Sequence, residues 1–439
     1  MKTVIIGGVA AGMSTAAKLK RECPEEKIIV YEKTNEVSYG ACGLPYYVSN
    51  ENNDINRMRI RSVKDFKKAG IDVYIEHEVV NVNPDKKEIT IIHQGKEIVD
   101  TYDRLVIATG ASPIMLPIPG IDHPKVFTLK TLEDGEKLKK AGDVANHVAI
   151  IGGGYIGIEL AEAFVTRNKK VSIIERLPEV LATFDFEFSN IVADHLKEKG
   201  VKLYLNQSVT AIYEQGNHLE IETDRESINA DLIVMSVGIR PNTNFLKDTK
   251  IEMLKNGAII TNSKMETSIK DIYAAGDCSA IVHALTNKPA YIPLGTNANK
   301  QGRTLAEILA GQDKEFKQGL GSAMIKVIDL EVAKTGFSEK EALELGLDVI
   351  TSTITSEDHA GYYPNPTDVT IKVIADKKTR VLLGAQLIGK KNVALRLNPF
   401  VVAIDQQMTA DRFSLLDFGY APPFASTWDV MHIATSTLK

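Results

Sequence analysis

The stretch Thr3-Val4-Ile5-Ile6-Gly7-Gly8-Val9-Ala10-Ala11-Gly12 decides the fold. Its first four residues form an unbroken β-prone run, the pattern of a parallel strand buried on both faces rather than of a half-exposed one. A helical pattern follows over 13–21, then a second apolar strand over 27–31 that ends at Glu32. Strand, glycine turn, helix and acid in that order make a dinucleotide fingerprint. The glycines let the backbone approach a pyrophosphate at a helix N-terminus, and the acid takes a ribose hydroxyl. In GxGxxG spacing the middle glycine falls on Val9, with Gly8 beside it.

A second copy lies downstream. Val148-Ala149-Ile150-Ile151 runs into Gly152-Gly153-Gly154-Tyr155-Ile156-Gly157, then a helix over 158–166 and a strand over 171–174 ending at Glu175. Here GxGxxG is complete, and two such units in one chain imply two dinucleotides. Glu175 favours the free 2′-hydroxyl of NADH over the 2′-phosphate of NADPH, whereas Arg176, directly after it, works in the opposite direction. Further on, Tyr273-Ala274-Ala275-Gly276-Asp277 reads as a strand whose terminal carboxylate takes a polyol hydroxyl, the ribityl contact of a flavin. A helix over about 299–310 points its N-terminus at the same ligand.

Between these motifs, 73–82 and 88–93 read as hairpin strands, 102–110 and 232–238 as strands closing the two units, and the proline-rich 113–119 as a linker. From Ser322 the glycine turns thin out. Strands over 323–328, 369–374 and 381–388 and an apolar helix over 393–406 read as a separate α+β domain without a nucleotide motif. The expected fold class is therefore α/β, with two Rossmann-like units and a C-terminal α+β domain.

The chain has 439 residues, enough for about three domains, and its formal charge of −5 gives no reason to invoke nucleic acid. No export signal opens it and no apolar run spans a membrane. Three cysteines, Cys23, Cys42 and Cys278, make neither a disulfide framework nor a metal-ligand spacing, so no metal and a reducing, cytoplasmic setting are expected.

Cys42 stands in Ser38-Tyr39-Gly40-Ala41-Cys42-Gly43-Leu44-Pro45-Tyr46-Tyr47, directly after the first nucleotide unit. Flanking glycines let the main chain pass close to a flat ligand, and a helix starting behind it favours a thiolate. Cys42 therefore reads as the redox centre, although free cysteines are ordinarily small buried hydrophobes. Cys278 reads as buried near the flavin and Cys23 as exposed. The tyrosines of 359–364 and 418–423 read, on composition alone, as half-buried packing residues.

Taken together, Gly7 to Gly12, Thr109-Gly110, Gly152 to Gly157 with Glu159, and Gly276-Asp277 resemble the FAD-dependent pyridine nucleotide-disulfide oxidoreductases over essentially the whole chain. The resemblance implies an FAD domain from 1–114 and 246–322, an inserted NAD(P)H domain over 115–245, and a dimerisation domain over 323–439. It carries FAD contacts onto Gly7, Gly8, Ala11, Gly12, Glu32 and Lys33, with Val79, Thr109, Gly110, Gly276 and Asp277. Contacts to NADH or NADPH fall on Gly152, Gly154, Tyr155, Ile156 and Gly157, with Glu159, Glu175, Arg176 and Gly238.

The branch follows from the cysteine. Members with an internal redox disulfide carry CxxxxC, but the position five after Cys42 is Tyr47. That leaves the single-cysteine branch of NADH peroxidase, NADH oxidase and coenzyme A disulfide reductase. The first two typically carry a histidine in the first glycine turn, where this chain has Ala10 and Ala11. Similarity to coenzyme A disulfide reductase implies functional tyrosines at Tyr362 and Tyr420, given by the partner subunit of a homodimer with shared active sites. It also implies a CoA nucleotide against Lys18, Arg21 and Ser38, although Lys18 and Arg21 read equally well as a solvated helix face. Ala41 stands where that family often has Asn. No rhodanese-like domain follows residue 439, which weighs against a persulfide reductase. The implied reaction is reduction of CoA disulfide by NADH or NADPH through FAD and a Cys42–S–S–CoA mixed disulfide. A peroxidase or oxidase using a Cys42 sulfenic acid, a CoA persulfide reductase, and a redox-responsive binding protein are the alternatives.

Overall fold

In the computed structural model, which describes residues 1–438, the strand Lys2–Ile6 lies at the middle of a five-stranded parallel sheet. The order across that sheet is Ile272–Ala274, Arg104–Ile107, Lys2–Ile6, Lys27–Tyr31, Asp72–Tyr74. Val4, Ile5, Leu105 and Val106 are wholly buried, the environment that an unbroken apolar run requires. A second parallel sheet repeats the plan in the order Lys202–Leu205, Lys170–Glu175, His147–Ile151, Leu232–Met235, Val126–Phe127. Each unit also carries a three-stranded antiparallel meander before its closing strand, Glu78–Asn83 with Glu88–His93 and Lys96–Thr101 in the first. In the second unit the corresponding strands are Val209–Gln215, His218–Thr223 and Ser227–Ala230.

The second unit is inserted into the first. The chain leaves through Ala111–Pro113 and returns through Ile239–Pro241, and these two segments pair antiparallel. Asn242 Nδ2 donates to Thr109 O at 2.9 Å and Thr109 Oγ1 donates to Asn242 O at 2.7 Å, closing the crossing. The edge strand of the first sheet, Ile272–Ala274, is therefore supplied only after the insertion.

The C-terminal part is a five-stranded antiparallel sheet in the order Ala323–Val327, Leu330–Gly336, Leu382–Gly389, Asp368–Asp376, Val349–Glu357. The helices Leu397–Asp405 and Val430–Ser436 cover it, over a core in which Phe400 and Phe413 stack. A buried lysine ties this sheet to the second unit. Lys372 Nζ stands 3.1 Å from Asp185, 2.5 Å from Glu187 and 2.7 Å from Glu339. These three carboxylates are close enough together to hold a metal ion, but the lysine already pairs with all of them.

Three expectations need correction. The stretch 73–82 is not one strand: Glu76, at φ 57°, breaks it, so Asp72–Tyr74 joins the parallel sheet and Glu78–Asn83 starts the meander. The helix over 393–406 begins as a 3₁₀ turn at Ala394–Arg396 before Leu397–Asp405. Leu330–Gly336 and Val349–Glu357 are strands that the sequence reading missed. The first buries Lys334 and Thr335, and the second is an edge rich in Thr and Ser. Among the described residues no helix is long and apolar enough to cross a membrane.

Candidate functional site

The two glycine turns are near copies. Gly7 and Gly152 both have φ 108°, and a Cβ on either would lie 2.2 Å from a carbonyl oxygen, that of Ala108 or Ser236. Only glycine fits at these two positions. Gly8 N donates to Glu32 at 2.7 Å, and Gly153 N to Glu175 at 2.6 Å. The second oxygen of each acid accepts from Thr34 N or Leu177 N, so both carboxylates are aimed by backbone at the rim of their turn.

The helices differ in how their first turns are capped. Val63–Lys68, Leu132–Val144 and Glu339–Glu344 start with complete capping boxes at Ser62, Thr131 and Ser338. By contrast, Ala10–Glu22, Tyr155–Thr166 and Gly295–Leu309 have no side-chain cap and no acid in the first turn. Their first N–H groups are free to meet an anion. Two of these helices start at the glycine turns. The third begins at Gly295, four residues earlier than its sequence suggests, because Thr296, Asn297 and Asn299 read as loop. With Glu32 in place and Asp277 Oδ2 having, among the described residues, only Lys130 Nζ near it, at 3.7 Å, the first unit has the donor set that FAD needs. Val79 is buried beside it and Lys33 is exposed. In the second unit Ile156 is exposed, Tyr155 receives Thr183 Oγ1 at 3.4 Å, and Gly238, at φ 112°, accepts from Ile114 N. Arg176 is exposed beside Glu175.

Cys42 is an exposed free thiol on the turn Ala41–Gly43, and a Cβ built on Gly295 would lie 3.8 Å from its sulfur. The uncapped helix start at Gly295 therefore faces the same space as the sulfur. The helix behind Cys42, Leu44–Val48, is barely one turn, shorter than a dipole argument needs. Burial of its surroundings, then Glu159 and Asp277, push the thiol up, and Lys130 works against them. The expectation of a ready thiolate is corrected accordingly. Cys278 is fully buried, donates to Ile107 O, and is pushed up to about 11 by that burial. Cys23 is half-buried, not exposed.

Packing also reassigns the Cys42 segment. Tyr39, Leu44, Val48, Ile55 and Met58 belong to one apolar cluster with Leu132, Leu138, Ile158 and Leu160 of the second unit. Lys139 Nζ sits 4.1 Å over the Tyr47 ring and donates to Tyr47 O at 3.0 Å. The sulfur thus lies where the two nucleotide units meet.

Tyr362 and Tyr420 come together although 58 residues separate them: their hydroxyls are hydrogen-bonded. They are 76% and 43% exposed, so the packing reading is wrong for both. The bond to Tyr362 raises the Tyr420 phenol. Lys18 is engaged by Glu22 at 2.6 Å and Glu307 at 3.3 Å, whereas Arg21 is exposed and in no salt bridge among the described residues. Ser38, at φ 50°, is held by its own N–H to Gly8 O and by Ile60 N–H to its carbonyl. Sequence reasoning missed Gly295, which lacks any helix-start signal, and Lys130, an ordinary lysine that only the tertiary structure brings to Asp277.

Residues 1–302 match the family model of pyridine nucleotide-disulphide oxidoreductases, and residues 322–432 match that of their dimerisation domain. The chain is 37% identical over 443 residues to the NAD(P)H sulfur oxidoreductase (CoA-dependent) of Pyrococcus furiosus, covering 100% of this chain and 99% of the relative. Among solved structures, reduced Bacillus anthracis CoADR-RHD superposes with TM-score 0.95 at 33% identity, over 99% of this chain and 79% of that one. The NADH-bound water-forming NADH oxidase of Lactobacillus brevis gives TM-score 0.97 at 30% identity, over 99% and 97%. The sulfur oxidoreductase is as long as this chain, so the length argument against persulfide chemistry does not discriminate.

Proposed function

The chain belongs to the pyridine nucleotide-disulphide oxidoreductase family, and from that premise we propose that it uses NADH or NADPH to reduce coenzyme A disulfide to two CoA thiols. The observation that carries this reading is Cys42: an exposed thiol at the junction of the two nucleotide units, with Cys23 and Cys278 held elsewhere. FAD is assigned to the first turn with Glu32 and Asp277, and the nicotinamide nucleotide to the second turn with Glu175. A flavin bound there supplies the two-electron relay from nicotinamide to sulfur.

The protein's own residues carry the thiol chemistry. Without a second cysteine, Cys42 stores two electrons reversibly only by pairing with an external thiol. Its thiolate attacks one sulfur of CoA disulfide, forming Cys42–S–S–CoA and expelling one CoA thiolate. Two electrons then break the mixed disulfide, returning the Cys42 thiolate and releasing the second CoA. The uncapped helix start at Gly295 stabilises negative charge at the sulfur in both steps. Tyr362 and Tyr420, exposed and bonded to each other, are assigned to the site of the partner in a homodimer, where a phenol donates a hydrogen bond to the leaving thiolate. Arg21 and Ser38 are the residues left to hold the CoA nucleotide, since Lys18 is already paired.

Anaerobic stopped-flow with NADH, followed by mass spectrometry of released thiols and of the intact chain, tests the cycle. One CoA released per FAD, with turnover restored by CoA disulfide, is the expected result. Turnover restored only by a CoA persulfide would change the acceptor and keep Cys42. A Cys42 sulfenic acid with turnover only on oxygen would replace the reading with an oxidase, the activity named for the L. brevis neighbour.

A further inference from the structure

The two tyrosines assigned to the partner's site stand on separate loops, and both are exposed. Tyr362 lies on 358–367, between the strands Val349–Glu357 and Asp368–Asp376, and Tyr420 on 414–429, between the helices Ala410–Phe413 and Val430–Ser436. Apart from the bond between the two hydroxyls, one outside side chain alone, among the described residues, is hydrogen-bonded to both loops. That side chain is Arg396, at the end of the 3₁₀ turn Ala394–Arg396. Its Nη2 donates to Asp358 O at 2.7 Å, where the first loop starts, and to Phe424 O at 3.1 Å, just beyond Tyr420. Nη2 also lies 3.0 Å from Asp429 Oδ2, which Nε reaches at 3.3 Å, and Nη1 donates to Asn392 O.

Each anchor of that guanidinium is itself fixed. The Asp358 carboxylate, 1% exposed, accepts from Thr367 N at 2.7 Å, which closes the base of the first loop, and from Asn392 Nδ2 at 2.8 Å. Asp429 Oδ1 accepts from Met431 N at 2.9 Å and caps the helix Val430–Ser436. The side chains of Arg396 and Asp429 are 10% and 7% exposed, so solvent screens their ion pair little. A planar guanidinium holds its acceptors at fixed spacings, which a flexible point donor does not. We propose that Arg396 is a positioning residue for the thiol step: it sets the spacing of the two loops so that the Tyr362 and Tyr420 hydroxyls meet. Two phenols carry two O–H groups, of which their mutual bond uses one and leaves the other for the departing CoA thiolate. Without the brace each loop keeps its own base, through Asp358 or through the helix cap at Asp429, but the tips separate. The thiolate then meets a single unaimed phenol in place of a placed pair. Arg396 acts only through the tyrosines and has no part in hydride transfer.

This inference rests on the reductase reading, and the test separates the two. Arg396→Gln alone would leave Asp429 buried and unpaired, so the variant is Arg396→Gln with Asp429→Asn, which removes both charges and keeps an acceptor at the helix cap. It is compared with Tyr362→Phe and with the combination of all three changes. The readouts are kcat and KM for CoA disulfide, flavin reduction by NADH, and thermal denaturation. The Arg396→Gln/Asp429→Asn enzyme is expected to lose kcat by roughly tenfold, the size of one lost hydrogen bond, with flavin reduction within about twofold of wild type. In the Tyr362→Phe background the same change should cost less than about twofold more, because the pair it positions is already broken. Fully additive losses would show a general weakening of the fold and would overturn the proposal, as would an unaltered kcat. Should that variant not fold, Arg396→Lys, which keeps the charge on a shorter chain, takes its place in the same comparison. A crystal structure of the variant decides the matter whatever the acceptor: the two hydroxyls out of hydrogen-bond distance are expected, and an intact pair would sink the idea. Failure of the wild type to reduce CoA disulfide would strike the reductase reading alone, with that crystal structure still deciding the role of Arg396.

Discussion

The turn at Gly7 to Gly12 and the turn at Gly152 to Gly157 have the same φ at their first glycine, the same clash distance and the same acid-to-backbone bond, yet they are enclosed differently. The first helix, Ala10–Glu22, packs on Gly295–Leu309 of its own unit so closely that a Cβ on Gly302 would lie 2.4 Å from Ala11 O. Thr15 Oγ1 donates across that contact to Gly302 O. The second helix, Tyr155–Thr166, is covered by Leu44–Val48 and Ala323–Val327, which come from the other two units. At the third turn position the first has half-buried Val9, and the second has exposed Gly154 with no atom within 4 Å of its missing Cβ. Equal turns with unequal covers teach that the fingerprint sets how a pyrophosphate is held, whereas the surrounding packing sets how freely it leaves. The first unit suits a resident cofactor and the second an exchanging one.

The comparison breaks first at the shared glycines. Gly7→Ala and Gly152→Ala should each cost about 3 kcal/mol or more, from strained backbone and a carbonyl clash, and should agree within about 1 kcal/mol. Only Gly7→Ala should release flavin, read as flavin absorbance remaining after gel filtration. Flavin loss from Gly152→Ala would reverse the assignment of the two units. Next in size, Tyr420→Phe should slow CoA disulfide turnover by roughly tenfold or more while flavin reduction by NADH stays within about twofold, because a phenol donor is lost from the thiol step alone. Equal loss in both half-reactions would remove Tyr420 from that step.

Smaller effects sharpen the same contrast. Glu175→Ala should raise the ratio of NADPH to NADH kcat/KM by about tenfold, since the acid that excludes a 2′-phosphate is gone while Arg176 stays. Gly154→Ala has room and an ordinary φ of −79°, so stability should hold within about 0.5 kcal/mol while KM for NADH rises several-fold. An unchanged KM would mean that no nucleotide passes over Gly154. Least of all, Lys18→Ala should lower stability only slightly, because its ion pairs are screened by solvent, and should leave KM for CoA disulfide unchanged. Arg21→Ala, by contrast, should raise that KM without touching stability.

Much of this was legible because local signals agreed with the global fold. Buried parallel strands announce themselves as unbroken apolar runs, and glycine turns as the residues that alone fit φ near 108°. Thus the two nucleotide units and both acids could be read from spacing, whereas the insertion of one unit in the other was implied only by the family resemblance. The C-terminal strands Leu330–Gly336 and Val349–Glu357 could not, since neither has alternation strong enough to mark it. Cys42 was singled out by its glycine neighbours, but its electrostatic setting was misjudged: Glu159, Asp277 and Lys130 lie 117, 235 and 88 positions away in sequence.

By itself, the order of residues determined two nucleotide folds, a third domain of another texture, and one thiol without a partner in its motif. Those properties follow from backbone sterics and hydrophobic periodicity, which act over a few residues. Only the tertiary structure decided that the Cys42 segment packs with the inserted unit, that Gly295 opens a helix at its sulfur, that Tyr362 bonds Tyr420, and that Arg396 ties their two loops together. Such meetings depend on how separate layers dock, and Coulomb and burial energies between distant residues leave no periodic mark in the chain.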